Sequence, residues 1–282
     1  MTERRTLIRL HAAPAPGMDL PTQITFSPNG AAVTYLASEA GTNVRSLWRH
    51  DLASGRREIV LAGVVGGAQS EATLPLEERL RRQRERQTSL GVTRYRWAAD
   101  GGMLIAPVSG RLFVAADGSR AMELPGIRDV QAAAVAPDGT RVAFVRGGEV
   151  HACGVAAGDD RSSVAGGYAP VGAIHQLTSD AADGVASGLP DFAAAEELDR
   201  HDGLWWSGDS ASLAWARVDE RAIPAYALAG LTPDGFHVER HRYPFAGGPN
   251  ARVRLVVAPF PASPRASPGL PPPGVAVEVG LE

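Results

Sequence analysis

Ala133-Ala134-Val135-Ala136-Pro137-Asp138-Gly139, followed by Val142 to Val145, is the stretch that decides the fold. An apolar run meets a Pro-Asp-Gly turn, and a second apolar run follows. Asp-Gly and Asn-Gly supply the positive φ angles that tight hairpins need, so the stretch reads as strand, turn, strand. The pattern recurs. Ile24-Thr25-Phe26-Ser27-Pro28-Asn29-Gly30 is followed by Ala31 to Leu36. Tyr95-Arg96-Trp97-Ala98-Ala99-Asp100-Gly101 is followed by Met103 to Ala106, and Leu204-Trp205-Trp206-Ser207-Gly208-Asp209-Ser210 by Leu213 to Arg217.

A second hairpin often comes next. Leu47 to Leu52 turns at Ala53-Ser54-Gly55 and returns as Glu58 to Leu61; Arg111-Leu112-Phe113-Val114 turns at Asp117-Gly118. Two hairpins make a four-stranded sheet, and repetition of such sheets is the signature of a β-propeller. At about 40–50 residues per blade the chain holds roughly four to five. The expected fold is all-β: a partial β-propeller of four-stranded blades with short helical inserts.

Two segments break the strand pattern. Pro75 to Arg86 has helix formers throughout, with Pro near its start and Glu77 and Glu78 spaced to pair with Arg81 and Arg82. Asp191-Phe192-Ala193-Ala194-Ala195-Glu196-Glu197-Leu198-Asp199-Arg200-His201 also favours helix, with Asp191 as N-cap and Gly203 just past its end. From Pro259 to Gly274 prolines crowd the chain, which no sheet ladder accepts. The expected organisation is therefore an N-terminal segment over 1–19, the propeller over 20–257 and a Pro-rich disordered tail over 258–282.

Composition excludes some functions. The 282 residues carry a net charge of -3, so nothing draws the chain toward nucleic acid or an anionic membrane. The Arg run of the first helix is interleaved with Glu, which also argues against a nucleic-acid partner. Lysine does not occur, so all 28 basic residues are Arg and any single Arg is weak evidence for a site. Cys153 is the sole cysteine and sits in an apolar stretch, where it reads as a small buried hydrophobe. Neither a Cys/His cluster nor a His-Glu-x-x-His pattern occurs, so no metal and no cofactor is expected. The apolar patch before Leu10 is too short for a signal peptide or a membrane span, so the expected location is the cytoplasm.

Three runs resemble bacterial dipeptidyl peptidase IV, in the prolyl oligopeptidase superfamily of serine peptidases. The first is Glu77-Glu78-Arg79-Leu80 through Gly91-Val92-Thr93-Arg94-Tyr95-Arg96-Trp97. The second is Asp191-Phe192 through Glu196-Glu197, His201, Gly203 and Trp205-Trp206-Ser207. The third is Arg217-Val218-Asp219-Glu220, then Arg242-Tyr243-Pro244-Phe245-Ala246-Gly247-Gly248-Pro249-Asn250. In that family an eight-bladed propeller caps an α/β-hydrolase domain whose Ser-Asp-His triad releases dipeptides from free N-termini. The resemblance implies that Glu196 and Glu197 bind a peptide's α-ammonium from a short helical insert. An α-ammonium has three donors and one positive charge, and two carboxylates can accept from it and neutralise it.

The chemistry of cleavage is not in these residues. The hydrolase nucleophile sits in Gly-x-Ser-x-Gly, and no such pentapeptide occurs here. Ser207 lies in a hairpin turn, and His201 has no nucleophile placed for it, so it reads as a helix-end histidine. The family's carbonyl-binding Arg has no match, because the hairpin after Met103 is short. Three readings stand: the propeller piece of a truncated or split peptidase, paired with a separate hydrolase chain or a second copy; a non-catalytic peptide- or protein-binding propeller; and a structural propeller of unrelated origin.

Overall fold

The computed structural model describes residues 20–38, 42–63, 82, 87–100, 102–157, 168–232, 235–260 and 279–280. The first sheet runs β1 (Thr22–Phe26), β2 (Ala32–Ser38), β3 (Val44–Asp51), β4 (Arg57–Leu61), with β5 (Leu90–Gly91) pairing parallel to β3. The second runs β6 (Arg96–Trp97), β7 (Met103–Val108), β8 (Arg111–Ala116), β9 (Met122–Glu123). The third runs β10 (Val130–Val135), β11 (Arg141–Arg146), β12 (Glu149–Ala157), β13 (Tyr168–Gln176). These are the expected double hairpins, antiparallel and in chain order.

The fourth sheet departs from that plan. Its long strand β16 (Ser212–Asp219) pairs on one edge with both β14 (Val185–Ser187) and β15 (Leu204–Trp206). On its other edge lies β19 (Arg252–Pro259), followed by β20 (Val279–Gly280). The intervening β17 (Ala225–Thr232) and β18 (Gly235–Arg242) form a separate two-stranded hairpin. The domain boundary expected at 257/258 therefore falls inside a strand. Ala258 is buried, Phe260 packs edge-on against Trp206, and the Phe260 amide bonds Ala211 O at 2.9 Å. Pro259 is tolerated because it is the last residue of β19, and the strand returning at Val279 further limits the expected tail. Residues 261–278 lie outside the described residues, as do the N-terminal segment and the expected first helix except for Arg82.

The core consists of three layers between successive sheets. In β7, Leu104, Ala106 and Val108 face the first sheet and meet Leu36, Leu47 and Val60. Met103 and Ile105 face the other way and meet Val135, Val142 and Phe144 of the third sheet. The opposite face of the third sheet, with Ala143, Val145 and Val150, packs on Leu204, Leu213 and Trp215 of the fourth. Period-two alternation thus gives two apolar faces. Each fully buried Leu or Phe contributes about 1.5–3 kcal/mol.

The repeated turns stitch the sheets at one end. Trp97, at the end of β6, donates its indole N–H to Thr34 Oγ1 of the first sheet at 2.9 Å. Trp206, in the same turn position, donates to Ala134 O of the third sheet at 3.3 Å. Phe26 holds that position in the first sheet and is 64% exposed. Ser210 replaces the glycine of the other turns and adopts φ +59, yet it is 1% exposed. Its Oγ accepts from the Asp138 amide at 3.0 Å and its carbonyl from Arg141 at 2.5 Å, so the strained residue clasps the neighbouring turn.

His151 sits in the third sheet, 5% exposed and stacked on Phe144 with ring centroids 5.3 Å apart. Burial holds its pKa below the ordinary value near 6.5. Unfolding releases it to titrate normally, so between the two values the unfolded chain binds more protons and stability rises with pH. Urea melts should show the chain losing stability as pH falls from 7 through 6.5 toward 5. His151→Gln should flatten that slope; a slope unchanged by the substitution counts against this origin.

Candidate functional site

The split edge of β16 creates the site. Ser187 pairs with Arg217 and Leu204 with Trp215. Between them Gly188 N bonds Ala216 O at 2.8 Å, and Ala216 N bonds Gly203 O at 3.0 Å. The ladder stays continuous while residues 189–202 leave the sheet as an insert. Its neck is built from glycine. A Cβ on Gly203 would stand 2.4 Å from the carbonyl carbon of Gly188, and one on Gly188 would stand 2.6 Å from Val145 Cγ2. Gly188 also has φ +79, which other residues rarely adopt.

The insert folds into one short helix, α1 (Phe192–Glu196). Asp191 caps it, with Oδ1 accepting from the Ala194 amide at 3.1 Å. Ala194 and Ala195 are the buried residues of the helix. The helix is shorter than the run to His201 expected from alanine and glutamate content. Glu197 is already the C-cap, and Asp199 adopts φ +51 and turns the chain back. The Arg200 amide then bonds Ala194 O at 2.9 Å, which closes the loop on the helix end.

Glu196 is the last helical residue and half-buried; Glu197 follows it and is exposed. Among the described residues neither carboxylate makes an ion pair or a hydrogen bond. Successive helical positions point roughly 100° apart, but two long Glu side chains can converge on a cation beyond the helix end. The other acids of the insert are engaged. Asp191 Oδ2 pairs with Arg200 at 3.0 Å, and Asp202 pairs with Arg96 of β6 at 2.6 Å. His201 Nε2 lies 2.8 Å from Asp199 Oδ1.

The second and third runs of the sequence meet here. Phe192 packs edge-on against Tyr243 at 5.0 Å, and Tyr243 and Tyr226 each lie 4.7 Å from Phe245. The Tyr-Pro-Phe segment at the foot of the β17–β18 hairpin thus supports the helix that carries the glutamates. Arg242, just before it, bonds Ile223 O at 2.9 Å and Asp183 at 2.6 Å. Arg200 and Arg96 escaped the sequence reading, because in a chain whose every cation is Arg neither stood out.

Ser207 is bound into its turn: Oγ donates to Asp209 Oδ1 at 2.5 Å and accepts from the Ser212 amide at 2.9 Å. The β7–β8 turn is the two-residue Ser109-Gly110, and Arg111 beside it pairs with Glu123 at 3.3 Å. Among the described residues no group of three or more His, Cys, Asp or Glu could hold a metal ion, and no helix is long and apolar enough to cross a membrane.

Known proteins are similar to this chain in sequence and in fold. Residues 92–272 match the family model of the dipeptidyl peptidase IV (DPP IV) N-terminal region. The probable dipeptidyl-aminopeptidase B of Tuber melanosporum is 32% identical over 95 residues, covering 29% of this chain and 10% of that protein. Its counterpart in Talaromyces marneffei is 34% identical over 98 residues, covering 29% and 11%. The crystal structure of Porphyromonas gingivalis dipeptidyl peptidase 4 superposes with a TM-score of 0.53 at 20% identity, over 84% of this chain and 31% of that one. The chain thus matches about a tenth of the length of these curated relatives.

The glycine neck gives a direct test. Gly203→Ala should destabilise the chain by about 1–3 kcal/mol, since the added methyl meets backbone rather than a flexible side chain. Gly208→Ala, in open space at a turn, serves as the control. Equal melting temperatures for the two variants would refute the close approach.

Proposed function

The chain belongs to the dipeptidyl peptidase IV N-terminal region family, and from that premise we propose that Glu196 and Glu197 receive the free α-ammonium of a peptide. The chain is a propeller portion of a DPP IV-like protein. The observation that carries the site is the pair itself. Two adjacent carboxylates end a capped helix, without an ion pair among the described residues, while the Asp residues around them are engaged.

The physics of such a site is simple. Charge-assisted hydrogen bonds from an ammonium to a carboxylate are worth about 1.5–3 kcal/mol each. An N-acetylated peptide lacks both the charge and the donors, so the pair discriminates chain ends from chain interiors. Held at a fixed distance from a nucleophile, it also sets how many residues separate the N-terminus from the cut. Acyl transfer needs a nucleophile, a base and an oxyanion hole. We assign these to a hydrolase domain of the kind the family resemblance implies, and expect this chain by itself to leave a Gly-Pro chromogenic amide uncleaved.

Titration calorimetry with a short peptide, free and N-acetylated, tests the reading. The free peptide should bind more tightly. Glu196→Gln and Glu197→Gln should each weaken it by about tenfold and leave the acetylated peptide unaffected. Equal affinity for the two peptides in the unmodified chain would overturn the assignment.

A further inference from the structure

We propose that Arg200 is the positioning residue of the insert, and that Arg96 extends its hold to the second sheet. The inference rests on the amine-site reading above, and names what fixes the glutamates in place. A helix of five residues cannot hold its own shape in water. Its own buried residues are two alanines, Phe192 packs against Tyr243 at its start, and neither the Glu196 nor the Glu197 carboxylate makes an ion pair or hydrogen bond among the described residues. Something outside the helix must therefore set the direction in which the carboxylates leave it.

Arg200 is built for that role. Its Nη2 pairs with Asp191 at the helix start, 3.0 Å away, and Asp191 is 8% exposed. Its Nη1 donates to Asp202 O at 2.9 Å, and its amide donates to Ala194 O at 2.9 Å. One side chain thus ties the N-cap to the segment that returns to the sheet, and its backbone ties that segment to the helix centre. A planar guanidinium fixes both acceptors in one plane, which a lysine ammonium cannot do. The same Asp191 carboxylate caps the helix with its other oxygen, so cap and clamp share one group.

The clamp is itself referenced to a distant strand. Asp202 Oδ2 pairs with Arg96 at 2.6 Å. Arg96 belongs to β6 of the second sheet, whereas Asp202 leads into β15 of the fourth; the pair joins elements that lie on either side of β10, the first strand of the third sheet. Both partners are nearly half exposed, so this bridge contributes little to stability. Its role is geometric: it limits how far the insert can swing relative to the second sheet.

Hydrogen exchange followed by NMR on the intact chain tests this, together with the free-to-acetylated affinity ratio. Arg200→Met should speed exchange of the Ala194, Glu197 and Arg200 amides by about tenfold, leaving those of β7 and β11 unchanged. The affinity ratio should fall toward unity. Arg200→Lys, which retains the charge but not the fork, should lie between, and also serves if the Met variant does not fold. Asp202→Arg should loosen the insert, and adding Arg96→Asp should restore the ratio. Unchanged exchange in Arg200→Met overturns the proposal whatever the peptide data. Faster exchange with an unaltered ratio also overturns it, if Glu196→Gln abolishes that ratio. If neither Glu variant changes the ratio, the amine-site reading falls instead, and exchange alone decides whether Arg200 holds the helix.

Discussion

Both faces of the second and third sheets are apolar, and neither face can be left to water. In β7, Leu104 and Ile105 are adjacent, point in opposite directions, and are each almost completely buried. The third sheet repeats this with Val142 and Phe144 on one side and Ala143 and Val145 on the other. A sheet of this kind folds only as the middle of a stack. Everything else follows: the repeated turns must lie side by side, their tryptophans find acceptors on the preceding sheet, and a strained Ser210 is tolerated because it joins two turns.

Much of this was legible in the sequence because hairpins are local. Pro-Asn-Gly at 28–30 and Pro-Asp-Gly at 137–139 fix φ within a few residues, and the flanking runs declare their period directly. The fourth sheet was harder. Its long strand takes β14, β15 and β19 as neighbours, and those pairings span a helical insert and a hairpin. No local signal says that β17 and β18 stand apart or that β19 replaces them. Pro259 drew the expected boundary into the last residues of β19, since a proline at a strand's last residue looks the same in sequence as one that forbids the strand.

The site divides in the same way. Asp191 and the following alanines announced a capped helix, and the glutamates came with it. The helix end did not, because Asp199 turns the chain with a positive φ that aspartate adopts without advertising it. Of the glycine neck, only Gly203 stood out in the sequence, as the residue past a helix end and not as a contact. Gly188 and Gly203 are far apart in sequence, and their approach exists only after both flanking strands have found β16.

Stacked-sheet proteins are usually well described by a chain of nearest-neighbour terms, each unit answering only to the two beside it. The Arg96–Asp202 pair violates that description, since it joins the second unit to the fourth. It closes a triangle through the third, as a diagonal strut does in a truss. A linear stack can shear by small slips at each layer, and the slips accumulate along its length. A diagonal tie converts such accumulated shear into a strain on one bond. At the small energy of an exposed pair the tie leaves the stability of the stack almost unchanged, but it makes the position of the insert depend on the second sheet as well as on the third.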